Sequence, residues 1–99
     1  MIKVKVMWMN KSEGGRKSPP PIGRYFPIAK FSNNEDSANL WSIILDLEAP
    51  QSCDEYVFSY GTAEFLSEDA PKDKLEIFDS FYIYEGPHKV GKVFIEAKR

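Results

Sequence analysis

Ile2-Lys3-Val4-Lys5-Val6-Met7-Trp8-Met9 is the stretch that decides how this chain is read. Ile2, Val4, Val6 and Trp8 alternate with Lys3, Lys5, Met7 and Met9. Successive side chains of an extended strand point to opposite faces, so the alternation predicts a strand with one face buried and the other carrying lysines. The pattern returns near the far end, where Ile77, Asp79, Phe81 and Ile83 alternate with Phe78, Ser80, Tyr82 and Tyr84. A last strand is expected from Val90 to Ile95, with Gly91 marking a close backbone approach.

The segments between these ends also read as strands. From Arg24 to Phe31, Tyr25, Pro27 and Ala29 oppose Phe26, Ile28 and Lys30. Pro27 has no N–H for a ladder, which predicts an edge, a bulge or a bend there. Leu40 to Leu47 is a nearly continuous apolar run and reads as a strand covered on both faces. Tyr56 to Leu66 reads as a strand pair or one bent strand, with Gly61 marking a bulge or a close approach. Polar, glycine- and proline-bearing breaks fall at 10–22, 32–37, 49–54, 67–74 and 85–88. A helix over Glu64 to Leu75 is disfavoured by Pro71 and by poor 3.6-residue periodicity.

Six or seven short strands in 99 residues, with 42% hydrophobic and 14% aromatic residues, predict one all-β domain over residues 1–99. A closed six-stranded antiparallel barrel is the expected architecture, because closure removes unpaired edges; a sandwich is the alternative.

Charge is distributed unevenly. Residues 1–31 carry seven cations against Glu13, residues 32–85 carry thirteen acids against Lys72 and Lys74, and the last segment is basic again. If the first and last strands lie side by side, a basic face and an acidic face result; scattered solvated charge is the plainer alternative. Cys53 is the single cysteine, so no intrachain disulfide forms, and its acidic neighbours argue against a reactive thiol. The first residues lack the apolar core of a signal peptide and no apolar run is long enough to span a membrane, so a cytoplasmic protein with no membrane partner is expected.

Few motifs carry chemistry. The loop Glu13-Gly14-Gly15-Arg16-Lys17-Ser18-Pro19-Pro20-Pro21 superficially resembles a phosphate loop. That pattern needs glycine where this chain has Lys11 and Arg16, and the loop leads to prolines rather than to a helix, so nucleotide hydrolysis is excluded. Its three prolines stiffen the connection, or offer a polyproline ligand to an aromatic groove. His88 is the single histidine and no Cys/His cluster has ligand spacing, so neither a metal nor a cofactor is expected. Arg16, Lys17, Arg24, Lys89 and Lys92, interleaved with Tyr25 and Phe26, are candidates for a nucleic-acid surface.

Glu13-Gly14-Gly15-Arg16-Lys17-Ser18-Pro19, followed by Gly23-Arg24-Tyr25-Phe26-Pro27 with Phe31 beyond, resembles the opening of the third domain of elongation factor Tu. Phe81-Tyr82-Ile83-Tyr84-Glu85-Gly86-Pro87-His88-Lys89-Val90-Gly91-Lys92-Val93 resembles the hairpin that closes that domain. The resemblance implies a six-stranded antiparallel barrel without a catalytic role. In the family this barrel packs on a GTPase domain, helps hold aminoacyl-tRNA and contacts an exchange factor. By the match, Arg16, Lys17, Ser18, Arg24, Tyr25, His88 and Lys89 are the binding residues it implies.

The expectation is therefore a non-catalytic binding module. A protein partner, in an immunity or regulatory role, is placed slightly ahead of RNA, because a small acidic barrel offers few phosphate contacts. RNA binding through the basic terminal segments is the alternative. A small enzyme using carboxylates among Asp46, Glu48, Asp79 and Glu85 is the remaining one.

Overall fold

The computed structural model describes residues 2–9, 20–31, 40–53, 56–70, 75 and 79–97. Eight strands are defined among them: β1 (Ile2–Trp8), β2 (Gly23–Tyr25), β3 (Ile28–Lys30), β4 (Leu40–Leu47), β5 (Gln51–Cys53), β6 (Tyr56–Phe65), β7 (Ser80–Glu85) and β8 (His88–Ala97). Every pairing is antiparallel. The order β4-β3-β7-β8-β1-β6 closes on itself through a β4–β6 pairing, giving a six-stranded closed barrel.

Eight strands fill six places because two of those places are interrupted. β2 and β3 both lie on β4 with one unbroken register, Gly23 opposite Leu47 and Lys30 opposite Leu40. The interruption is Phe26-Pro27, where proline has no N–H to give the ladder, yet the Pro27 carbonyl still accepts from the Ile43 N–H at 3.1 Å. Pro27 thus produces a gap in one strand, with its ring fully buried. β4 and β5 likewise share one edge of β6, with Leu47 opposite Gly61 and Gln51 opposite Phe58. One extra residue enters at Ala49-Pro50 and shifts the register by one, as in a bulge.

Tyr56–Phe65 is one continuous strand. Gln51–Cys53 forms a short strand where the sequence suggests only a break, because β6 captures its backbone. β4 is covered on one side only: Ile43, Leu45 and Leu47 are buried, while Asp46 is exposed. The apolar run over-reads as two-sided because Ile44 and Leu40 face outward.

Inward residues build the core as the period of two requires. Val4, Val6, Ile43, Leu45, Leu47, Ile83, Val90 and Val93 are each at most 2% exposed. Complete burial of such a side chain contributes about 1.5–3 kcal/mol. Aromatic groups plug both ends. At one end Phe31 packs on Phe81 at 4.6 Å and on Phe65 at 5.7 Å between ring centres. At the other, Trp8 meets Tyr25 edge-on at 5.6 Å, and the Tyr25 hydroxyl donates to the Glu85 carboxylate.

Gly91 faces Trp8 across β1 and β8. A Cβ there would come within 2.9 Å of the Met7 carbonyl oxygen, which confirms the close approach read from the sequence. The Gly86-Pro87 turn joins β7 to β8, and Gly86 takes φ +59° in the left-handed region.

The Trp8 indole N–H donates to the Ser59 hydroxyl at 2.9 Å, and Ser59 is completely buried. Ser59→Ala removes that acceptor and leaves the indole N–H without a partner inside the barrel. A loss of about 1–3 kcal/mol is expected, read as a lower urea midpoint with unchanged slope. An unchanged midpoint would mean that the bond contributes nothing.

Candidate functional site

β1 and β8 pair along their length, so the first and last strands lie side by side. Their outward residues, with those of β6, β7 and β3, form one continuous curved face. The register arranges this face in rows. One row runs Tyr60, Lys5, Phe94, Ser80. The next runs Phe58, Met7, Lys92, Tyr82, Lys30. Tyr84 and Lys89 stand opposite each other just beyond. Neither row contains a carboxylate.

Cations and rings alternate at contact distance. Lys5 Nζ lies 4.5 Å from the centre of the Phe58 ring and 5.8 Å from that of Tyr60. Lys92 Nζ lies 5.3 Å from the Tyr82 ring and 5.2 Å from Phe94. Lys89 Nζ sits 4.2 Å over Tyr82, and Lys30 Nζ 6.0 Å from Tyr84. Phe58 and Tyr60 pack edge-to-face at 5.4 Å. All these side chains are half-buried, as expected where lysines and rings partly cover one another.

Such contacts are weak. A cation–π pair at an exposed site is worth about 0.5–1 kcal/mol, so each lysine lifts off its ring at small cost. The uncovered ring then offers a flat apolar surface, and the displaced ammonium a charge beside it. Described acids border the face at its β6 edge: Asp46, Glu48 and Glu96, with Lys3 and Tyr60, line an open groove of about 610 Å³ between β4 and the ends of β1 and β8.

Of the residues expected to bind, Arg16, Lys17 and Ser18 lie outside the described residues, as does most of the loop that carries the first half of the family resemblance. Arg24 is exposed on β2 opposite Asp46. Tyr25 is half-buried in the barrel end, tied to Trp8 and Glu85. His88 is exposed at the β7–β8 hairpin, opposite Glu85. The fold therefore gathers Tyr25 and the His88 turn around Glu85. It places Lys89 and Lys92 on the cation–aromatic face, and Arg24 outside its rows. Asp79 and Glu85, named for the enzyme alternative, flank opposite ends of β7.

Lys5, Lys30, Phe58, Tyr60, Tyr82, Tyr84 and Phe94 are the residues that the sequence reading did not single out for binding. A signal was present: Phe81-Tyr82-Ile83-Tyr84 is aromatic or apolar at both parities, although one face of a barrel strand meets water. Among the described residues, no group of three or more His, Cys, Asp or Glu side chains stands where it could hold a metal ion. No helix among them is long and apolar enough to cross a membrane. No family model, no curated protein and no solved structure matches the chain.

Proposed function

We propose that this chain is a non-catalytic binding module that holds single-stranded nucleic acid on the cation–aromatic face of β6, β1, β8, β7 and β3. The carrying observation is the interleaving of Lys5, Lys30, Lys89 and Lys92 with Phe58, Tyr60, Tyr82, Tyr84 and Phe94. Bases stack on aromatic faces, and phosphates between them take the ammonium groups. A duplex hides its base faces, so rings on a surface favour an unpaired strand. The net charge of −2 is an average over the chain; the phosphates would meet a local surface whose two central rows carry lysines and no acid.

Anisotropy titration of a short labelled RNA strand tests this. With four lysines at phosphates, log K is expected to fall against log salt with a slope of about −3, from about −0.7 per contact on a single strand. The same sequence as a duplex should bind more weakly. No binding at low salt, or equal binding of strand and duplex, would sink the reading.

A second reading, a protein partner, is favoured by Ile22 and Phe26, which are 70% and 57% exposed and flank Arg24 along the β2 segment. A photo-crosslinker placed at Phe26 would then give a defined protein adduct in the native cell, whereas one at Lys92 would give a nucleic-acid adduct under the first reading.

A further inference from the structure

The cation–aromatic face continues past β3 to Leu40 of β4. Lys30 and Tyr84 also line a groove of about 300 Å³, together with Ile28, Leu40, Gly86 and Pro87. Its construction follows from the register. Lys30 stands opposite Leu40, and Ile28 opposite Tyr84, so outward side chains of β4, β3 and β7 meet across adjacent strands. The Gly86-Pro87 turn closes one end. Leu40 is 43% exposed at the other, which leaves an apolar surface open to solvent.

We propose that this groove is a single-base pocket, in which one nucleobase of the bound strand leaves the stack and lies on the Tyr84 ring. The proposal rests on the nucleic-acid reading above and adds where the strand is read. Three observations select a base over other occupants. The groove is the direct continuation of the face, since Lys30 belongs both to its rim and to the row through Tyr82 and Lys92. Its surface is a ring and aliphatic side chains with one ammonium, Lys30 Nζ, 6.0 Å from the Tyr84 ring. A planar apolar group attached to a phosphate fits that combination, and an aliphatic peptide side chain has no use for the cation. The volume is at the bottom of the range of about 300–1,000 Å³ for small-molecule pockets, so it holds a base and not a chain of nucleotides.

The chemistry of the walls predicts the selectivity. Ile28, Leu40 and Pro87 offer no side-chain hydrogen-bond groups, so the pocket reads stacking area before base edges. A purine, with the larger π-face, is preferred to a pyrimidine at this one position.

The test uses 2-aminopurine moved one position at a time along a short RNA strand, read by fluorescence in the complex with the whole chain. One position should be quenched in the wild type and released by Tyr84→Ser. Affinity for the intact strand should fall roughly five- to 150-fold in that variant, the range for one base–aromatic stack. For a strand that is abasic at the quenched position, wild type and variant should bind alike. Leu40→Glu, which leaves the ring in place and sets a carboxylate on the groove, should also release the quench while sparing the abasic strand. The pocket is overturned if no position is quenched in a wild-type complex that does form, or if Tyr84→Ser weakens intact and abasic strands equally. If the wild type binds no strand at all, the nucleic-acid reading falls and the pocket falls with it.

Discussion

Replacing Gly61 by valine is expected to prevent the barrel from closing, and even alanine should lower stability by about 3 kcal/mol or more. Gly61 is opposite Val4 on one edge of β6 and Leu47 on the other. A Cβ at this position would fall on the Asp46 carbonyl oxygen and lie 3.0 Å from its carbon and 3.1 Å from the Leu47 Cα. All three obstacles are backbone, so no flexible side chain can move aside. They also belong to β4, the strand whose pairing with β6 closes the ring. The chain must therefore part the β4–β6 ladder or leave the Cβ overlapped. For a domain near 100 residues, a loss of 3 kcal/mol lowers Tm by about 12–24 °C. Gly86→Ala is the control: nothing lies within 4 Å of its Cβ, and only the φ of +59° is strained. That strain costs about 1–2 kcal/mol. Urea melts followed by tryptophan fluorescence should rank Gly61→Ala well below Gly86→Ala. A Gly61→Ala protein that melts with the wild type would show that β4 and β6 do not approach as described.

The second large effect concerns function. The double variant Lys5→Glu with Lys92→Glu should weaken single-strand RNA binding at low salt by about a hundredfold or more, and flatten its salt dependence by roughly 1.4 in slope. Lys5 joins the Phe58–Tyr60 ring pair to the middle of the face, and Lys92 joins Tyr82 to Phe94. Reversal at both removes two phosphate partners and sets two carboxylates between the stacking platforms. The fold should survive, since each lost cation–π contact is worth only about 0.5–1 kcal/mol and neither residue faces the core. Arg24→Glu is the informative contrast. Arg24 lies on β2 beside Asp46, at the opposite end from Lys30 of the barrel place that β2 and β3 share and outside the rows of the face, and should leave RNA affinity within a factor of about two of wild type. Equal losses from Arg24→Glu and from the double variant would replace a defined face with diffuse charge attraction.

Parts of this picture were open to reading from the chain. The alternation over Ile2–Trp8 correctly sorted Val4, Val6 and Trp8 to the interior and the lysines to the exterior. Gly61 and Gly91 marked real close approaches, because strand glycine forfeits a packing side chain and stands where backbone needs the room. Pro27 marked a real interruption. Gln51–Cys53 did not announce itself, since nothing local distinguishes a polar turn from a strand whose partner supplies the hydrogen bonds. The binding face was only half legible. Lys89 and Lys92 stood out as cations near the end of the chain, but Lys5 looked like the solvated side of one strand, and Tyr60 like a residue of another.

The sequence by itself determined the period of two, most of the breaks and most of the inward residues, and through them an all-β chain in which a closed barrel was expected ahead of a sandwich. These properties are local: each depends on neighbours one or two positions away. Tertiary structure alone decided that Lys5 lies over Phe58 and beside Phe94, and that Lys30 shares a groove with Tyr84. Those neighbours belong to different strands, and their register is settled only when Val4, Val6, Leu45 and Ile83 pack together inside a closed ring. A slip of one residue would turn each outward lysine into the core, so burial of the apolar side chains fixes the outer face as firmly as the inner one.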